Sequence, residues 1–279
     1  MKSGIMIEDI YVAIKSCPKP TGSMSSRAAY AYPCNVLPET MGTTDCLSQE
    51  RDRLERGIME SKFKSDKRGE EALASFLDTC LYSKMVEDKI IQDFKRTEDK
   101  QTQLSGVDLI LTTGTRDVKV DEKSALQYIN RDIPTFAMEI YYRGNTGWFM
   151  KDGLQTDAYL LVWPRAATTD LGAIAAEDFT LCGCMLIYKQ VLRKYVNKFL
   201  SDEELLSAAR ALDRGELDWE HDQRNRYHVP GNPELYLTIS GQLYERPVNL
   251  VIKKSILKQL CRFEVLVEKD RIRFLENQR

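Results

Sequence analysis

Asp108, Asp121, Glu122 and Lys123 are the residues whose types and spacing can do chemistry together. They lie in one stretch, GVDLILTTGTRDVKVDEK, from Gly106 to Lys123. Alternate residues of a strand face the same side. Asp121 and Lys123 therefore project together, while Val120 and Glu122 face the other way. The stretch reads as two strands joined by a turn at Gly114, and such a hairpin brings Asp108, 13 residues before Asp121, onto the same face. Two carboxylates and an amine crowded on one sheet face are costly, because like charges raise the pKa of one acid. A divalent cation removes the conflict. Mg²⁺ takes hard oxygen ligands, keeps several waters and uses one or two carboxylates plus phosphate oxygens. The backbone carbonyl of Glu122 adds a further oxygen. Lys123 is then placed to orient or deprotonate an attacking water, or to neutralise charge developing on phosphorus. The chemistry expected is metal-dependent phosphodiester hydrolysis, with Asp108, Asp121 and Glu122 at Mg²⁺ or Mn²⁺.

Several elements must position these groups. In GEEALASFLDTCLYSKM (Gly69 to Met85), Leu73, Phe76, Leu77, Cys80 and Leu81 recur at three- and four-residue spacing, which predicts an amphipathic helix. Glu70 heads its apolar stripe, where an acid either complements the helix dipole or reaches into a site. Lys89 to Lys95 reads as a short strand or the end of that helix. ALQYINRD reads as a short helical segment closed by Pro134, and TFAMEIYY (Thr135 to Tyr142) as a strand. AYLLVWP (Ala158 to Pro164) is nearly all apolar, the mark of a central strand. DFTLCGCMLIYKQVLRKYVNKFL begins as a strand and turns helical. SDEELLSAARAL carries a capping box, Ser201 with Glu204 three residues on. LYLTISGQL and PVNLVIKKSILKQLCRF give a strand, then a strand running into a helix.

With those residues in place, the sequence resembles the PD-(D/E)XK nuclease superfamily. Gly106-Val107-Asp108 followed by Val120-Asp121-Glu122-Lys123 is similar to its signature, with Val107 where the named motif has proline. TQLSGVDLIL, VDEKSALQYINRDIPTFAMEI and ERPVNLVIKKSIL are similar to stretches of uncharacterised bacterial and phage-borne members. The resemblance implies an α/β fold: a restriction-endonuclease-like mixed β-sheet flanked by helices, with a core of helix, three strands, helix and strand, and here with extra helical elements. It implies Asp108 and Asp121 at the metal and Lys123 at the water. It also implies a glutamate from the first helix, Glu70, with Glu71 as the alternative. The substrate implied is DNA, with RNA left open. Nucleases of this kind often pair subunits to cut both strands, which leaves a homodimer open.

Composition sets the outer bounds. The chain has 279 residues, 43% hydrophobic and 29% charged, as in globular proteins. No apolar run approaches the roughly 18 residues of a membrane span, so no membrane partner is expected. Glu8 and Asp9 interrupt any signal-like apolar core, which points to the cytoplasm. The net charge of −2 provides no global basic field and counts against a nonspecific nucleic-acid coat. Seven cysteines at irregular spacing argue against a disulfide framework, and Cys182-Gly183-Cys184 is too close for a usual zinc pair. The domain reading is an N-terminal arm over 1–45 and a nuclease-like domain over 46–279. Within that domain the core spans about 67–163, a helical and loop insertion about 166–233, and C-terminal strands and a helix 234–279. Residues 47–63 read as a charged surface helix capped by Ser48.

The remaining polar residues are weighed against structural roles. Glu139 is either a further acid of the site or the partner of Arg143 or Lys119. Gln103 reads as a loop amide, with a contact to the water or the nucleic-acid backbone as the alternative, and His221 and His228 read as surface residues. Lys189, Arg193, Lys194 and Lys198, like Lys253, Lys254, Lys258 and Arg262, form either a phosphate grip or a solvated face. Trp148 and Phe149 either stack on bases or pack under the sheet. The reading from another class is a nucleic-acid-binding or assembly protein that keeps the fold without turnover.

Overall fold

The most apolar run of the chain, AYLLVWP, lies at the centre of its larger sheet. The computed structural model describes residues 64–97, 99–241 and 246–275. The expected N-terminal arm, and the 47–63 helix with its Ser48 cap, lie outside these residues. In chain order, helix α1 covers 64–87, passing through a π-helical turn at Asp78–Tyr82. Strand β1 (Asp93–Arg96), helix α2 (Lys100–Leu104), β2 (Leu109–Thr112) and β3 (Asp117–Ser124) follow. After a 3-10 turn at Leu126–Tyr128 come β4 (Thr135–Tyr142), β5 (Asn145–Thr146), β6 (Ala158–Ala166) and β7 (Phe179–Tyr188). Then come α3 (Lys189–Val196), α4 (Asp202–Asp213), β8 (Tyr227–Val229), β9 (Asn232–Ile239) and β10 (Val248–Lys253). Helix α5 (Lys254–Leu260), β11 (Phe263–Val267) and β12 (Ile272–Leu275) close the described chain.

The strands form two sheets, a seven-stranded one of order β1-β2-β3-β6-β7-β11-β12 and a five-stranded one of order β5-β4-β10-β9-β8. In the larger sheet only β3 and β6 run parallel; the other neighbours are antiparallel. The architecture is thus mixed α/β with flanking helices. Strand β6 is buried along both faces except at Arg165, which explains its unbroken apolar sequence.

Two cores flank the larger sheet. On one face Leu73, Phe76, Leu77 and Leu81 of α1 pack against Leu109, Val120 and Leu160. On the other, Tyr159, Leu161, Met185 and Ile187 meet Met138, Ile140 and Leu250 of the smaller sheet and Leu192, Leu205 and Leu257 of α3, α4 and α5. Each fully buried aliphatic side chain contributes about 1.5–3 kcal/mol.

Local structure follows the residue pattern at most points. Ser201 and Glu204 form the capping box that starts α4. β7 followed by α3 is the strand-then-helix expected from DFTLCGC and the basic stretch after it, and places a ten-residue strand of the 166–233 region beside β6. The 89–95 stretch forms β1 after a turn in which Lys89 has φ 57°. ALQYINRD yields only the 3-10 turn. β11 and β12 are additions that the reading of the C-terminal stretch did not contain.

Candidate active site

The hairpin of β2 and β3 is closed by Thr113, whose N–H and hydroxyl both donate to the Arg116 carbonyl, at 3.0 and 2.7 Å. Its last pair is Leu109↔Val120. Asp108 sits one step beyond, opposite Asp121, with its N–H donating to the Val120 carbonyl at 2.9 Å. There the chain leaves β3: Gly106 has φ +76°, and a Cβ on it would come within 2.6 Å of the Thr156 hydroxyl. That hydroxyl donates to the Gly106 carbonyl at 2.6 Å, so glycine is required for both conformation and closeness. The parting strands leave the Glu122 N–H without a β2 partner. The Asp108 carboxylate takes its place, accepting that N–H at 2.8 Å. Asp108 is therefore fixed at a fork rather than inside a strand.

Asp121 is 2% exposed. Burial, with Asp108 nearby and only partly offset by Lys123, pushes its carboxyl up to about 6. The two acids are within side-chain hydrogen-bonding contact. The Lys123 ammonium bonds Asp121 Oδ1 and stands 5.2 Å from the centre of the Trp148 ring. Burial depresses the lysine, but Asp121, Asp108 and Glu70 outweigh it, so the ammonium is held above its ordinary value.

Glu70, on the first turns of α1, lies in the field of Lys123 and Asp108; partial burial raises its carboxyl, against the pull of Lys123. Glu71 points away and pairs with Lys67 at 3.6 Å on the exposed side of the helix. Glu139 is in the smaller sheet, on the side of β4 opposite the core residues Phe136, Met138 and Ile140.

The side chain of Glu122 faces α1, as alternation requires. It accepts from the Tyr82 hydroxyl at 2.6 Å and from Arg96 Nη1 at 2.8 Å. Arg96 also grips Asp78, in the π-helical turn, through Nη2 at 2.6 Å and Nε at 2.9 Å. Any part Glu122 plays at a cation falls to its backbone carbonyl, because its carboxylate belongs to this anchor. π-helical turns recur at functional sites; here the turn aims Asp78 and Tyr82 at the back of β3.

Sequence reasoning missed Tyr159, and read Lys189 only as part of a phosphate grip or a solvated face. Tyr159 is opposite Asp121 in the parallel β3–β6 register, hidden in an apolar run. Lys189, at the start of α3, is half-buried and held below its ordinary pKa by burial and Arg193, against the opposing pull of Asp121 and Asp152. Only knowledge of the strand register would have exposed Tyr159.

Other candidates make contacts within the fold. Gln103 donates to the Thr97 carbonyl at 2.8 Å. Phe149 is fully buried, and Trp148 packs edge-on against Tyr159 at 5.2 Å. Lys253, Lys254 and Lys258 pair with Glu234, Asp132 and Glu264, and Arg193 with Asp202. Cys182 and Cys184 are free, buried thiols pushed up by burial. His221 stacks on Tyr227 at 4.7 Å.

Among the described residues, no group of three or more His, Cys, Asp or Glu stands ready as a metal cage, and no helix is long and apolar enough to cross a membrane. Comparison of the chain with protein-family models, curated proteins and solved structures finds no match.

Proposed function

We propose that the chain is a Mg²⁺- or Mn²⁺-dependent phosphodiesterase that cleaves DNA, built on the PD-(D/E)XK plan. The observation that carries this reading is the convergence of Asp108, Asp121 and Lys123 at the fork of β2 and β3. The order α1, β1, β2, β3, then β6 parallel to β3, supports it. The connection from β3 to β6 departs from that plan. Among the described residues it holds a 3-10 turn and two strands of the smaller sheet, with no α-helix.

The donor set fits a hydrated divalent cation. Two carboxylates in contact, one raised to about 6 by burial and by its neighbour, form an anionic pair short of positive charge. Mg²⁺ uses one or two carboxylates and otherwise waters and phosphate oxygens, so a full protein cage is not required. When bound, such a cation polarises a phosphoryl oxygen and acidifies its water. Asp108 and Asp121 hold it, with the Glu122 carbonyl as a further oxygen. Lys123 orients the attacking water and offsets charge developing on phosphorus. Glu70 supplies a negative charge that keeps the lysine protonated and aimed.

The test is incubation of supercoiled plasmid with wild type, Asp108→Ala and Lys123→Ala in Mg²⁺ or Mn²⁺. Nicking or linearisation by wild type, falling by at least about 10²-fold in each variant with unchanged circular dichroism, is the result expected. Binding without cleavage in either metal overturns the enzymatic reading, and cleavage of RNA alone overturns the choice of DNA.

A further inference from the structure

Tyr159 has a buried hydroxyl with no hydrogen-bond partner. The residue is 0% exposed. Leaving a buried polar atom unpaired costs about 1–3 kcal/mol, whereas phenylalanine would fill the same space without that cost. The ring is boxed by Trp148 at 5.2 Å and Phe149 at 6.5 Å, and Arg193 fixes Phe149 by donating to its carbonyl at 2.7 Å. The hydroxyl therefore has a fixed position. Its strand partner in register is Asp121, on a neighbouring strand about 4.8 Å away and on the same sheet face. Asp121 already has Lys123 on Oδ1 and Asp108 beside it.

We propose that Tyr159 is a positioning residue for Asp121, donating its O–H to the aspartate carboxylate in the cation-loaded protein. The proposal rests on the phosphodiesterase reading. Lys123 is the charged donor on Asp121 Oδ1, and Tyr159 is the neutral donor on the same row. The ring is held by Trp148 and Phe149, so its hydroxyl stays on the Asp121 row. Carboxylates that ligate metals are themselves hydrogen-bonded, and loss of such a partner costs about 10–100-fold in metal affinity.

The experiment is titration calorimetry of Mn²⁺ into wild type and Tyr159→Phe, with thermal melts of both in chelator. Tyr159→Phe is expected to melt at the same or a higher temperature while binding Mn²⁺ about 10–100-fold more weakly. Equal Mn²⁺ affinity in the two proteins overturns the role of Tyr159 and leaves the metal site standing. A wild type that binds no Mn²⁺ overturns the phosphodiesterase reading and this inference with it. A lower melting temperature with unchanged affinity assigns the hydroxyl to packing alone and also overturns the inference.

Discussion

Asp121 stands where stability and the proposed chemistry oppose each other. Its folded carboxyl keeps a proton up to about pH 6, well above an unfolded aspartate near 3.9. Below the unfolded value both states carry the proton and nothing is lost. As pH rises from there through 6, the folded state loses relative to the unfolded one. Asp121→Asn removes that penalty. In chelator at pH 8 the variant is expected to melt about 2–8 °C higher than wild type, as ~1–2 kcal/mol would give in a chain of this size. The gain should shrink at pH 5, where wild-type Asp121 is protonated. Thermal melts at the two pH values, beside the plasmid assay in which the variant is inactive, check the trade. At this scale the sequence was most legible: residue type and alternation identify Asp108, Asp121 and Lys123 together and turn Glu122 away. Tyr159 stayed hidden because an isolated tyrosine in an apolar run looks like filling, and the register of a parallel pair is not written in either strand alone.

At the scale of elements, the back of β3 is held to α1 by Asp78, Arg96, Glu122 and Tyr82. The Glu122 side chain is 13% exposed and that of Arg96 27%. Removing one partner of a buried ion pair strands the other, at about 3–5 kcal/mol. Arg96→Ala is expected to lose stability of that order in urea unfolding. Glu122→Gln keeps its hydrogen-bonding shape and should retain most plasmid cleavage, since its carboxylate does not face the aspartate pair. Full loss of cleavage by Glu122→Gln with an intact fold would contradict the division of faces. Helix α1, β3, β4, β6 and α4 were readable from periodicity and capping. The anchor was not, because it joins residues 78, 96 and 122 through tertiary contacts that leave no local pattern. The ALQYINRD segment gave a 3-10 turn because the parallel β3–β6 connection turns at once into the smaller sheet.

At the scale of the whole molecule, β6 joins everything: its neighbour carries the acids, and its two faces feed both cores. Leu161 is fully buried between the two sheets. Leu161→Ala should cost about 2–5 kcal/mol and lower one cooperative transition, seen alike by tryptophan fluorescence and circular dichroism. Separate transitions would mean that the smaller sheet melts on its own. The two-sheet arrangement was not legible, because antiparallel and parallel neighbours look alike in apolar strands and nothing local says which sheet β4 joins.

The alternation along β3 has an evolutionary consequence. Shifting the strand by one residue exchanges its sides: Glu122 would be delivered to the face that carries the aspartate pair, while Asp121 and Lys123 would be driven beneath α1. Insertions and deletions should therefore accumulate in the Thr113–Arg116 bend, which can lengthen without touching the frame, and be purged between Val118 and Ser124.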